Sequence, residues 1–188
     1  MKLFGKKKKE YTFVNLHLNA RLQPNDRFEL EDMFEEILKE LKIGEVTGGG
    51  TTLAPVEGIE SCNIEFNIDK DKVNGFIDFL NQMPIIPKGS KVVMGENDIE
   101  IGKAEGLALH LNGIDLPTHI YQNYDVNELL AIIDDSLEGN GERLSHWEGE
   151  RYTSIYYYGK SYAIMKEIIS EVANNHPLCQ NCVFEQIA

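Results

Sequence analysis

One nine-residue phrase occurs twice in this chain, and it limits what the chain can fold into. Leu16-His17-Leu18-Asn19 and Pro24 return as Leu109-His110-Leu111-Asn112 and Pro117, 93 positions later and with no gap. Because that spacing is close to half of the 188 residues, the simplest reading is one folding unit present twice in tandem. The phrase alternates apolar with polar residues and runs into a proline, as a strand with one buried face does where it meets a turn.

In the first half, Val14, Leu16 and Leu18 share a face with Thr12, while Phe13, Asn15, His17 and Asn19 share the other. Pro24-Asn25-Asp26 breaks this strand and offers capping side chains. Met33, Phe34, Ile37, Leu38 and Leu41 then predict an amphipathic helix over residues 26–42, ending near Gly44. Residues 45–53 and 59–68 read as a hairpin around Ala54-Pro55-Val56-Glu57-Gly58, with Cys62, Ile64, Phe66 and Ile68 inward. A helix bearing Val73, Phe76, Ile77, Leu80 and Met83 follows, closed by Pro84 and Pro87, and a strand over residues 91–94 completes the unit.

The second half repeats the plan with an insertion, residues 118–124, after Pro117. A capping box from Asp125 to Glu128 opens a helix carrying Leu129, Leu130, Ile133 and Leu137. Residues 143–147 and 152–158 form the second hairpin, placing Thr153, Ile155 and Tyr157 inward and Ser154, Tyr156 and Tyr158 outward. Ser161 caps a last helix with Ile164, Met165, Ile168, Ile169 and Val172, and residues 183–187 supply a closing strand.

Each half thus reads β-α-β-β-α-β, which resembles the ferredoxin-like superfamily. The expected fold is α+β: two tandem ferredoxin-like units, each a four-stranded antiparallel sheet with two helices on one face. The expected boundaries are a basic disordered tail over residues 1–9, a first unit over 10–95, a connection over 96–106 and a second unit over 107–188. Beyond topology, Leu18-Asn19-Ala20-Arg21-Leu22-Gln23-Pro24, Gly44-Glu45-Val46-Thr47-Gly48-Gly49-Gly50-Thr51 and Ser145-His146-Trp147 resemble an uncharacterised family of small bacterial proteins. That resemblance spans nearly the whole chain. It implies a bacterial protein and carries no activity and no site residues.

Charge narrows the partners. Of 18 basic residues, five are Lys2, Lys6, Lys7, Lys8 and Lys9, which leaves 13 against 31 acidic residues and a net −18 beyond residue 9. Such a body repels phosphate backbones and attracts basic partners, so nucleic acid is argued against. The Lys tail offers at most weak contact with anionic lipid, at about 1 kcal/mol per Lys near a membrane surface, and a solvated terminus is the favoured reading. No apolar run suggests a signal peptide or a membrane span, and the three cysteines are read as reduced thiols, so a cytoplasmic location is expected.

Candidate chemistry gathers on the sheet faces away from the helices. There the first unit presents His17, Asn19, Asn63, Glu65 and Asn67, and the second presents His110, Asn112, Ser154, Tyr156 and Tyr158. These groups suit hydrogen bonding and stacking, although both His-Asn pairs could instead fix the junction of the first strand with its following loop by bonding backbone groups. Gly48-Gly49-Gly50 precedes a strand and no Lys-Ser or Lys-Thr follows it, so it reads as a bulge or close approach and not as a phosphate loop. His176-Pro177-Leu178-Cys179-Gln180-Asn181-Cys182 offers three zinc ligands without a matching second pair, and its CxxC follows a helix, so an ordinary loop is preferred to metal or redox chemistry. No cofactor, metal or catalytic residue is assigned.

The preferred reading is a non-catalytic acidic protein that binds a basic protein partner, of the immunity or inhibitor type. Trp147, Tyr156 and Tyr158 would serve as anchors. The alternative is an ACT-like sensor holding a small molecule at the strand-to-helix loops, residues 19–26 and 112–118, with Arg21 facing a carboxylate. A lesser alternative is an enzyme using the open-face His and Tyr residues. The residues singled out for a partner or ligand are therefore His17, Asn19, Arg21, His110, Asn112, Trp147, Tyr156 and Tyr158.

Overall fold

The computed structural model describes residues 9–54 and 58–188, so the expected Lys tail up to Lys8 and the turn at Pro55-Val56-Glu57 lie outside the described residues. Two antiparallel sheets, of five and four strands, combine with five α-helices in a mixed α+β structure. The first sheet is built from β1 (Tyr11–Leu18), β2 (Gly44–Ala54), β3 (Gly58–Asp69), β4 (Ser90–Met94) and β5 (Asn97–Ile101), in the order β2-β3-β1-β4-β5. Helix α1 (Pro24–Leu41) joins β1 to β2, and α2 (Val73–Gln82) lies between β3 and β4. The second sheet contains β6 (Glu105–Asn112), β7 (Gly141–Glu148), β8 (Tyr152–Gly159) and β9 (Val183–Gln186), in the order β7-β8-β6-β9. Helices α3 (Thr118–Asn123) and α4 (Val126–Ser136) follow β6, and α5 (Tyr162–Ala173) follows β8. No helix among the described residues is long and apolar enough to cross a membrane.

Two expectations are corrected. The first sheet has five strands where four were expected: Gly95, at φ 61°, turns the chain so that Ile99 and Ile101, residues able to extend an edge strand, lie on β5 paired with β4. The segment after β5 is then clamped, with Lys88 N–H donating to Ala104 O at 2.8 Å and Lys103 N–H to Ile86 O at 2.9 Å. The insertion at residues 118–124 folds as α3, whose Ile120 joins the core, so the second sheet has three helices instead of two.

Strand alternation places one face of the first sheet under its helices. Val14, Leu16, Ile64, Phe66 and Ile68 are fully buried, and Phe66 meets Phe34 of α1 and Phe76 of α2 edge to face at 5.4 and 5.1 Å. Such pairs add about 0.5–1.5 kcal/mol to the burial itself. In the second sheet Leu107, Leu109, Ile155 and Tyr157 pack on Leu129, Ile133, Met165 and Ile169 of α4 and α5. Helix α1 ends two residues before Gly44, at Lys42 in the left-handed region (φ 57°), whose N–H bonds Leu38 O and Lys39 O. Gly44 is kept for another reason: a Cβ there would meet Asn67 O of β3. Gly48 follows a bulge, and a side chain on Gly49 would collide with Asn63 O and with the Arg27–Glu31 ion pair of α1.

The other face of the second sheet is not open to water along its whole length. Ala108, Tyr156 and Tyr158 belong to the same apolar cluster as Ala20, Leu22, Ile86 and Ala104 of the first half. The turn between β1 and α1 is seated there by polar contacts. Arg21 N–H donates to Tyr158 Oη at 2.8 Å, Gln23 N–H donates to Ser145 Oγ at 3.0 Å, and Gln23 Nε2 donates to His146 O at 2.7 Å. Ser145 Oγ in turn donates to Asp26 in the first turn of α1. A serine of the second sheet therefore anchors the start of a helix of the first.

Tyr158→Phe keeps the ring and removes the acceptor from a largely covered amide. It should cost about 1–2 kcal/mol in urea unfolding, the penalty for a buried donor left without a partner. A change below about 0.3 kcal/mol would mean the turn is not held through this bond.

Candidate functional site

Registry across the second sheet builds a row of polar side chains beside the seated turn. His110 of β6 stands opposite Ser154 of β8, and Ser154 opposite Trp147 of β7. The adjacent row holds Ala108, Tyr156 and Ser145, with Glu185 of β9 opposite Ala108. A bulge between Arg143 and Ser145 brings Ser145 and Trp147 onto this face. The covered row and the polar row therefore alternate on a single surface, and the first half ends where the polar row begins.

The uncovered part is a cleft of about 540 Å³ lined by Arg21, His110, Trp147, Tyr152, Ser154 and Glu185, with residues 148–151 of the β7–β8 turn at its mouth. Its volume is in the range of pockets that take a small molecule or one partner side chain. His110 Nδ1 lies 2.7 Å from Ser154 Oγ and its Nε2 lies 3.1 Å from Glu185 Oε2. A carboxylate can only accept, so Nε2 carries the hydrogen of that bond. The Arg21 guanidinium reaches Glu185 Oε1 at 3.2 Å and lies over the Tyr156 ring at 5.6 Å. Partial burial raises the Glu185 carboxyl, but the hydrogen bonds and charges of Arg21 and His110 outweigh it and hold the group below the ordinary glutamate range. Arg151 is paired with Asp115 at 2.8 Å. Glu148 and Glu150 form no ion pair among the described residues.

The order Ser154, His110, Glu185 is that of a nucleophile, a base and an orienting carboxylate. Its setting differs from that of a working relay. Ser154 lies mid-strand with 7% of its surface exposed, and Glu185 is shared with Arg21. The chain of hydrogen bonds positions the imidazole at the floor of the cleft.

The residues singled out from the sequence are dispersed. Arg21, His110 and Trp147 meet in the cleft. Tyr156 and Tyr158, outward-facing residues read as packing against either the sister unit or a protein partner, are 1% and 3% exposed and lie under the β1–α1 turn, which covers that part of the outer face of the second sheet. His17 is exposed on the uncovered face of the first sheet, beside Lys91 and Asp98, so the two repeated histidines have different surroundings. Asn19 Nδ2 donates to Lys88 O at 2.8 Å, and Asn112 Oδ1 accepts from Ile114 N and Asp115 N at 3.0 and 2.9 Å. Both asparagines fix the loop after their strand. Arg21 already has a carboxylate within the chain, Glu185, where an incoming one was expected. Glu185, Tyr152 and Arg151 were missed. Extending strand alternation to the closing strand puts Glu185 on the His110 face, since Val183 stands opposite His110 and Glu185 is two residues on.

No protein-family model matches the chain, and no curated protein matches it. Among solved structures, the first two RRM domains of the yeast poly(U)-binding protein Pub1 superpose with a TM-score of 0.26 at 8% identity, covering 93% of this chain and 99% of that one. An anthrone oxidase-like protein superposes with a TM-score of 0.27 at 11% identity, covering 94% of this chain and 90% of that one. Superpositions this loose carry no argument about what the cleft does.

The depressed Glu185 carboxyl fixes the sign of a pH effect. Its contribution to stability is complete above the ordinary glutamate value of about 4.3 and is lost as pH falls through the lower folded value. Glu185→Gln should therefore unfold at lower urea than the parent at neutral pH, with the gap closing in acid. A gap that stays constant down to about pH 3 would show that the ionised carboxylate is not what Arg21 and His110 hold.

Proposed function

We propose that this is a non-catalytic acidic binding protein of the bacterial cytoplasm, of the immunity or inhibitor type, whose cleft receives a basic side chain of a protein partner. Its two halves are taken as tandem ferredoxin-like units, the first with an added edge strand. The observation that carries the reading is the balance of charge at the cleft. Both arginines are neutralised within the chain by Glu185 and Asp115, while Glu148 and Glu150, at the mouth of the cleft, form no ion pair among the described residues. A cation arriving from a partner meets two free carboxylates and two aromatic walls, Trp147 and Tyr152. The −18 body beyond residue 9 steers such a partner from a distance.

The other reading of the repeat, an anionic small molecule at Arg21, requires Glu185 to be displaced first. An enzyme would need the Ser154 hydroxyl to leave its place on the strand face. Both are weaker for these reasons.

Trp147 is the chain's single tryptophan, so its fluorescence reports the cleft directly. A short Arg-rich peptide should shift that emission at low salt. The apparent affinity should fall about tenfold or more as ionic strength rises well beyond 0.1 M, where the screening length is about 10 Å. Glu148→Gln/Glu150→Gln should weaken the response without altering the fold. A response to a dicarboxylate such as succinate, with none to the peptide, would transfer the site to the small-molecule reading.

A further inference from the structure

Cys179 and Cys182 were read from sequence as an ordinary loop, on the ground that no helix N-terminus lies beside them to favour a thiolate. The structure supplies a different device. Residues 177–179 form one turn of 3-10 helix, and His176 caps it by accepting Leu178 N–H on Nδ1 at 3.3 Å. The chain then makes a tight turn in which Cys182 N–H donates to Cys179 O at 3.1 Å. Gln180 (φ −60°, ψ 129°) and Asn181 (φ 59°) give it the form of a type II turn, in which asparagine is one of the few residues that tolerate the second position. A turn of this kind holds its first and last Cα atoms within about 7 Å, and a disulfide needs about 4.4–6.8 Å.

We propose that Cys179 and Cys182 form a reversible dithiol–disulfide centre, in which the half-exposed Cys182 attacks and the buried Cys179 resolves. Their environments divide the roles. The neighbouring Cys179 thiol holds Cys182 below the ordinary thiol range, whereas the influence of Cys182, together with burial, pushes Cys179 up. Cys62 stays outside the chemistry, because it is 2% exposed and burial pushes its thiol up to about 12.

The reaction partner is a low-molecular-weight disulfide. The Cys182 thiolate attacks one of its sulfurs, its S–S bond breaks, and one thiolate leaves. Cys179 then gives up its proton and attacks the Cys182 sulfur of the mixed disulfide, releasing the second thiolate. Two protein thiols become one disulfide, and one small disulfide becomes two thiols. Every group required is on the protein or on the oxidant. The centre does not depend on what the cleft binds.

The test incubates the full-length protein with oxidised glutathione and follows intact mass. The parent should lose two hydrogens in mass, and after denaturation only one thiol, Cys62, should remain open to alkylation. Cys179→Ser should stop at a stable glutathione adduct on Cys182, and Cys182→Ser should not react. In the reduced parent, iodoacetamide should label Cys182 about tenfold or more faster than Cys62, with a pH midpoint below that of a free cysteine. A parent that halts at the adduct would overturn the proposal, since Cys179 then fails to resolve. A parent that stays fully reduced, or labels first at Cys62, would overturn it equally.

Discussion

The turn between β1 and α1 is the contact on which the arrangement of the two halves depends. The N–H groups of Arg21 and Gln23 precede the first residue of α1 and have no partner within that helix. Here the second sheet supplies partners: Tyr158 accepts from Arg21, and Ser145 accepts from Gln23 while donating to Asp26. Apolar burial of Ala20 and Leu22 against Tyr156 and Tyr158 accompanies these bonds. Polar satisfaction sets the orientation and burial provides the larger share of the free energy, as is usual where a few hydrogen bonds sit inside an apolar contact.

A second constraint operates under β2. Arg27 and Glu31 form a buried ion pair on α1, and Gly49 leaves the space in which it lies against the sheet. Burial raises the Glu31 carboxyl despite the opposing pull of Arg27. Taking both charges from water is costly, so the pair is weak evidence for stability and better evidence for register, since it fits only one placement of the helix over the glycines. The glycine run thus serves packing. That outcome follows from its position on an edge strand that packs under α1.

The repeat made the architecture legible because strand alternation and helical spacing are local signals. Strands β1, β3, β6 and β8 and helices α1, α2, α4 and α5 fall close to where the pattern of apolar residues puts them. What was illegible depends on contacts between distant segments. Ile99 and Ile101 allow an edge strand over Asn97-Asp98-Ile99-Glu100-Ile101, but the run alone does not say that a turn at Gly95 will fold it back on β4. Nor does Tyr156 or Tyr158 announce whether its neighbour is water or the other half of the chain. The cleft combines residues from β6, β7, β8, β9 and the β1–α1 turn. His110 and Ser154 were found by strand alternation, Arg21 by its place in the repeated strand-to-helix loop, and Trp147 as an aromatic anchor. Glu185 was passed over because an acidic residue in so acidic a chain carries no signal by itself.

Both sheets have an outer face, yet among the described residues one of them is covered and the other is not, and the side chains show why. On the first sheet that face carries Asn15, His17, Asn63, Glu65 and Asn67, all of which retain contact with water. On the second, Ala108 and two tyrosines replace such groups, and a face so apolar must be buried. One turn of the first half cannot cover a whole sheet. It stops at Arg21, whose backbone is tied to Tyr158 and whose guanidinium reaches forward to Glu185, so the same residue ends the interface and begins the cleft wall. The cleft is therefore the remainder of an incompletely covered duplicate face, and its polar row consists of the positions beyond the reach of that turn.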